Sequence, residues 1–396
     1  MWINRDISPV IQRLASTFPS VVLTGARQTG KTSLLKRLFP KNNFVSLDLP
    51  SIAEMAETTP EAFLDAYPPP VTIDEVQYAP NLFRYLKNRI DQNRHVYGQY
   101  ILTGSQKFTL MKGLTESLAG RCGVCELETL SLEEIRQEIQ FPTEELIVRG
   151  GYPELYAQSA LNHIDYYSSY LATYLERDVR AILGVKDLRD FQRFIRACAL
   201  RSGQLLNKSE LARDVGIRSP TANEWLSVLQ ASNQILLLEP WLANKTKSLV
   251  KAPKLYLADT GLLCFLANIR SPSELLASPL LGSIWETFVY AELRKHFHSS
   301  REIWYWRDQY GLEVDFLMQK GGRFHLMECK WSEHPQAKDT RAIEKVCDSL
   351  GRSVVDCAEI ISRTKSPYTL TIAEDLSVQV VALEEIFKAQ RYTAHS

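Results

Sequence analysis

Eight consecutive residues, Gly25-Ala26-Arg27-Gln28-Thr29-Gly30-Lys31-Thr32, follow the pattern of a glycine, any four residues and Gly-Lys-Thr. Glycines let successive backbone N–H groups curl around phosphate oxygens, and a helix starting here adds positive potential. Lys31 is placed to reach β- and γ-phosphates, Thr32 to ligate Mg²⁺, and Ser33 completes the set. Downstream, Val71-Thr72-Ile73 ends in Asp74-Glu75. On a strand beside the loop's own strand, Asp74 would hold the metal and Glu75 would polarise a hydrolytic water. Tyr100-Ile101-Leu102 leads into Thr103-Gly104-Ser105, where the hydroxyls of Thr103 and Ser105 could sense the terminal phosphate or orient that water. Arg121, after Ser117-Leu118-Ala119-Gly120, is a candidate arginine finger, acting in cis or from a neighbouring subunit. Guanine selectivity calls for Asn-Lys-x-Asp, and both Asn207-Lys-Ser-Glu and Asn244-Lys-Thr-Lys depart from it. ATP with Mg²⁺ is therefore the expected ligand.

A second set of acids lies near the C-terminus. Asp315 sits within Leu312-Glu-Val-Asp-Phe-Leu, and Glu328-Cys329-Lys330 ends the next apolar run. A preceding helix carries Glu286. Asp on one strand and Glu-x-Lys on its hairpin partner resemble the PD-(D/E)xK nuclease family, whose core order is αβββαβ. Asp315, Glu328 and Glu286 offer hard oxygen ligands for Mg²⁺. Lys330, two residues from Glu328 on the same strand face, can orient a water or stabilise a pentavalent phosphate. The plainer reading of Glu-x-Lys is a surface ion pair. Cys122-Gly-Val-Cys125 has no second pair and no nearby histidine, so zinc is rejected.

The elements that must position these groups follow from periodicity. In residues 1–145, short apolar runs at Val21–Leu23, Val45–Leu47, Val71–Ile73 and Tyr100–Leu102 alternate with amphipathic stretches, the signature of a parallel α/β sheet. Together, Gly25–Thr32, Ile73-Asp74-Glu75, Leu102–Ser105 and Ser117–Arg121 resemble the AAA+-type ATPases of archaea and bacteria, across essentially the whole chain. That resemblance implies an AAA+-like fold, ATP hydrolysis and a C-terminal module, and it supplies no substrate.

Residues 146–280 read as mostly helical with a winged-helix piece. Asn207-Lys-Ser-Glu210 is a helix start, Ser219-Pro220 another, and two strand-like runs flank a segment with Lys245, Lys247 and Lys251 as the wing. The third helix, Thr221–Gln230, has no Lys or Arg, so any DNA contact is expected at the wing around Lys245–Lys254. The tyrosines at 166, 167, 170 and 174 have helical spacing and are expected in a core. Residues 281–396 give the αβββαβ pattern, with a break expected near Ser271-Pro272-Ser273.

Composition bounds the rest. The chain has 396 residues, with 46 basic and 46 acidic side chains. Its blocks hold 15 basic and 17 acidic (1–145), 16 and 12 (146–280), and 15 and 17 (281–396) side chains. A surplus of four in the middle block limits a DNA footprint to a local patch. Seven cysteines argue against a disulfide scaffold, and with no apolar leader or membrane-length run the expectation is a cytoplasmic protein with no membrane partner, and a homo-oligomer is among the candidate partners. Two functional readings stand: an ATPase coupled to a Mg²⁺-dependent DNA nuclease, and an ATP-gated DNA- or protein-binding regulator whose nuclease-like domain does not cut.

Overall fold

The computed structural model describes residues 1–105, 117–174, 188–241, 252–297, 303–373 and 375–388. They divide into two compact units. The first is Met1–Leu130 with Tyr152–Ala160 and Ala231–Gln234; the second is Ser131–Gly151, Leu161–Gln230 and Ile235–Ser396.

The first unit is built on five parallel strands: β1 (Ser20–Thr24), β2 (Asn43–Ser46), β3 (Val71–Asp74), β4 (Tyr100–Gly104) and β5 (Cys122–Glu126). Their order is β2-β3-β4-β1-β5. Strands covered by helices on both faces bury alternate residues in two separate layers. Val22, Ile73 and Leu102 face one apolar cluster, with Phe83 and Leu86 of the helix Leu82–Gln92. Val21, Leu23 and Ile101 face another, with Ile11, Leu34 and Leu35. The order corrects one expectation: β3 is not beside β1. Strand β4 runs between them, pairing Leu23 with Thr103 on one side and Ile73 with Leu102 on the other.

In the second unit, helices Leu188–Ala199, Lys208–Val215 and Ser219–Ala231 combine with a three-stranded antiparallel sheet, β6 (Gln204–Leu205), β8 (Lys254–Leu257) and β7 (Ile235–Leu238), in the order β6-β8-β7. Asn207 caps its helix, its side-chain oxygen accepting from the Glu210 N–H at 3.1 Å, and Gly216 ends it in the left-handed conformation. Trp225 packs edge-on against Phe191 and Phe194. Tyr166, Tyr167 and Tyr170 are buried, as expected of core residues, and the Tyr167 hydroxyl donates to Asp259 at 2.7 Å. Lys245, Lys247, Lys251 and the side chain of Tyr174 lie outside the described residues.

The same unit carries the helix Leu281–Phe297 and a six-stranded sheet. Its strands are β9 (Ile303–Arg307), β10 (Glu313–Lys320), β11 (Arg323–Cys329), β12 (Val355–Ser362), β13 (Tyr368–Ala373) and β14 (Leu376–Ala382), in the order β13-β14-β12-β11-β10-β9. The first three pair antiparallel, and β12 joins β11 in parallel after the helix Arg341–Leu350. The β13–β14 hairpin extends the sheet beyond the expected strands. Ser271 caps the helix Pro272–Ala277 and accepts from the Glu274 N–H at 3.3 Å. No helix among the described residues is long and apolar enough to cross a membrane.

Candidate functional site

The phosphate loop joins the end of β1 to the helix Lys31–Leu38. Gly25 has φ +145°, and a Cβ there would stand 2.2 Å from the Leu127 carbonyl oxygen. Only glycine lets the backbone run this close to its neighbour. Gly30, at φ +90°, turns the chain into the helix. The loop is braced from a distance by Arg5, whose buried guanidinium donates to the Thr29 carbonyl at 3.0 Å and the Glu128 carbonyl at 2.7 Å. Thr29 turns its hydroxyl inward to the Ala26 carbonyl at 3.0 Å. Arg27 is half-buried, while Gln28 and Ser33 are exposed.

Three sequence-distant segments meet beside this loop. Thr32 donates to Asp74 Oδ2 at 2.9 Å, and Thr103 donates to Asp74 Oδ1. Strand β4 therefore inserts a hydroxyl where direct adjacency of β1 and β3 had been expected. Burial pushes the Asp74 carboxyl above its ordinary value, against the two hydroxyl donors. Lys31 is buried, its ammonium donating to the Gly25 and Ala26 carbonyls at 3.0 and 2.8 Å. Glu75 adopts a left-handed backbone, φ 56°, uncommon for a residue with a side chain. Its carboxylate accepts from the Gln77 amide and from the Ser105 hydroxyl at 3.0 Å. Burial raises its pKa, but Gln77, Lys31 and Ser105 outweigh burial and hold it below its ordinary value. A glutamate kept ionised there can accept a proton. The glycine cradle, Lys31 and the Thr32–Asp74 oxygen pair together fit a Mg²⁺-nucleotide.

Arg121 does not join this group. It precedes β5, and its neighbour Cys122 pairs with Ser20 at the opposite end of β1 from the loop. Five residues of strand separate the two ends, about 13 Å at the usual rise. Its guanidinium instead grips Asp91, with Nε–Oδ1 2.6 Å and a second contact of 3.0 Å. A finger acting in cis from Arg121 is corrected on these grounds. Cys122 and Cys125 lie on one strand, and burial pushes their thiols up to about 11 and about 12, away from redox or metal chemistry at neutral pH. None of the seven cysteines is in a disulfide.

The acids of the second unit assemble differently. Oxygens of Glu286, Glu313 and Asp315 lie within 4.8 Å of one another, and Glu328 is outside that group. The third member is therefore Glu313, which the sequence reading passed over although it lies two residues from Asp315 on β10. Lys254 of β8 enters the group: its Nζ lies 2.6 Å from Glu286, 2.5 Å from Glu313 and 3.6 Å from Asp315. It is 1% exposed. Burial disfavours its charge, but the three carboxylates outweigh burial and raise its pKa. Lys254, expected at the edge of a DNA-facing wing, is thus an interior cation. Tyr256, two residues on, donates to Glu286 at 2.6 Å. The Asp315 carboxylate also accepts from the Cys329 N–H at 2.8 Å, and Lys330 pairs with Glu328 at 2.8 Å. The other Glu328 oxygen is buried without a hydrogen-bond partner. Burial, then the Asp315 charge, push the Glu328 carboxyl up to about 8. These oxygens suit a hard cation by type, yet with Lys254 among them the arrangement is not that of an open metal site.

Residues 17–136 match a family model described as an AAA domain, and residues 140–273 and 281–384 match two domains of unknown function, DUF8612 and DUF4143. The first unit therefore carries a P-loop ATPase domain of the AAA type. The chain is 32% identical over 337 residues to Rv2008c of Mycobacterium tuberculosis strain H37Rv and equally to Mb2031c of Mycobacterium bovis, both described as uncharacterized proteins, covering 84% of this chain and 75% of each relative. Among solved structures, the Walker-type ATPase PABY2304 of Pyrococcus abyssi is similar at 17% identity and a TM-score of 0.46, over 67% of this chain and 96% of that one.

Proposed function

We propose, for a chain that belongs to the family of the mycobacterial proteins Rv2008c and Mb2031c and carries an AAA-type ATPase domain, that ATP binding and hydrolysis at the phosphate loop control the C-terminal domain. The observation that carries this reading is the convergence of Thr32, Thr103 and the Asp74 carboxylate beside a glycine-cradled lysine. Bound Mg²⁺-ATP supplies a transferable γ-phosphoryl group and a charge to shield it. Loop N–H groups and Lys31 hold the phosphates, and Thr32 and Asp74 hold the metal. Glu75, fixed by Gln77 and Ser105, orients a water and takes its proton, while Thr103 keeps Asp74 in place. Arg27, Gln28, Ser33 and Ser105 complete the nucleotide-binding surface. Lys31→Ala tests binding and Glu75→Gln tests hydrolysis. Unchanged nucleotide affinity in the first would refute the site.

For the C-terminal domain, the αβββαβ strand order with Asp315, Glu328, Lys330 and Glu286 supports a PD-(D/E)xK nuclease-like module that handles DNA with Mg²⁺. The buried Lys254 favours the second reading, an ATP-gated DNA- or protein-binding regulator in which this domain does not cut as it stands. The helices around Asn207 and Ser219 with the β6-β8-β7 sheet support a winged helix, and a cytoplasmic homo-oligomer, with Arg121 acting across subunits, remains compatible with this scheme. Mg²⁺-dependent cleavage of branched, linear and single-stranded DNA, compared with Lys330→Ala, separates the two readings: equal background from both proteins leaves the regulator.

A further inference from the structure

We propose that Lys254 is a built-in counter-cation that closes the carboxylate site of the C-terminal domain to divalent metal, so that metal enters only when strand β8 withdraws it. This rests on reading Glu286, Asp315 and Glu328 as a nuclease-like metal set. The Lys254 ammonium lies within 3.6 Å of three carboxylates contributed by a helix and by strand β10. A divalent ion bound to the same oxygens at about 2.1 Å would overlap that ammonium, so the two occupants exclude each other. Each is a cation that offsets the mutual repulsion of buried acids.

The strand that delivers Lys254 is itself tied to the site. Leu257 N–H donates to the Ser202 hydroxyl at 3.0 Å, and that hydroxyl lies 2.8 Å from Thr287 Oγ1, next to Glu286. On the other flank, the Tyr305 hydroxyl of β9 donates to the Ala252 carbonyl at 2.7 Å. Lys254 and Tyr256, two apart on β8, present one face to Glu286. A displacement of β8 therefore withdraws the cation and a hydrogen-bond donor together. A second observation marks the neighbourhood as a place for a cation: the buried Glu328 oxygen without a partner. Lys330 already satisfies its other oxygen.

Mn²⁺ binding to the full-length, nucleotide-free chain, counted by the loss of the free-ion paramagnetic resonance signal, tests this. Compare the wild type with Lys254→Met and with Lys254→Met/Asp315→Asn. The apolar variant is expected to bind one additional Mn²⁺ at least tenfold more tightly than wild type, with Asp315→Asn abolishing the gain. Wild type binding Mn²⁺ through Asp315 as tightly as Lys254→Met overturns the lock and leaves the metal site standing. No Asp315-dependent binding in either protein overturns the metal site, and the lock with it. Should Lys254→Met not fold in metal-free buffer, its thermal transition decides: recovery with Mn²⁺ and not with equal ionic strength of Na⁺ supports the proposal, and no recovery overturns it.

Discussion

Two buried lysines sit beside two acid sets, and the molecule treats them in opposite ways. Lys31 donates to backbone carbonyls of its own loop, while Asp74 beside that loop accepts from the neutral hydroxyls of Thr32 and Thr103. The Asp74 carboxylate is thus held by neutral hydroxyls that a ligand can displace at small electrostatic cost. Lys254 is instead bonded to charge, within 3.6 Å of three carboxylates. Breaking such a buried pair exposes uncompensated acids, which costs far more than exchanging a neutral hydrogen bond. The first arrangement is ready for a phosphate and its metal; the second is already neutralised from within. The two glutamates tell the same story. Donors and cations hold Glu75 below its ordinary pKa, whereas burial and Asp315 push Glu328 up to about 8.

The sharpest way to break this contrast is Lys31→Ala, expected to weaken ATP binding by about a hundredfold or more in a fluorescent-nucleotide titration. Glu75→Gln should keep that affinity and slow hydrolysis by about 10²–10⁴-fold, measured as phosphate release. Retained hydrolysis would move the base elsewhere. Lys254→Met should destabilise the second unit by about 3–5 kcal/mol in urea unfolding, the range for removing one partner of a buried ion pair. A loss no greater than that of an exposed lysine would dissolve the difference between the two lysines.

The pH response follows from the directions of the two shifts. With a folded pKa of about 8 against 4.5, Glu328 keeps a proton in the folded state that the unfolded chain has already lost. Its contribution is complete below about pH 4.5 and is lost as pH rises through about 8. Glu75, held low, has the reverse dependence: its contribution is present above the ordinary glutamate value and is lost as pH falls through the folded one. Glu328→Gln should therefore flatten the fall in melting temperature between about pH 5 and 8 by a few degrees, seen in calorimetry. The smallest effect is expected from Arg121→Ala, which breaks a surface pair with Asp91. Hydrolysis at protein concentrations below any association should stay within about twofold of wild type.

The sequence by itself determined the phosphate loop, the strands that end in Asp74-Glu75 and Thr103-Gly104-Ser105, and the αβββαβ order at the C-terminus. These are local facts: glycine positions, two-residue alternation and the chemistry of neighbours in one short run. It also indicated that Tyr166, Tyr167 and Tyr170 belong in a core, because helical spacing reports a buried face.

Only the tertiary structure decided which elements touch. Strand β4 lies between β1 and β3, which makes Thr103 a partner of Asp74, because sheet order depends on how faces pack and not on runs of residues. Arg5 braces a loop more than twenty residues away, and its signal in the sequence is a single arginine among many. Arg121 carries the right residue type but stands at the wrong end of its sheet. Lys254 is the clearest instance. In the sequence it ends a run of lysines and reads as the edge of a DNA-facing wing, yet it is 1% exposed among acids 32 to 61 residues away. Charge pairing in an interior is set by proximity in three dimensions, where Coulomb energy is large and water is absent. No periodicity along the chain encodes that distance.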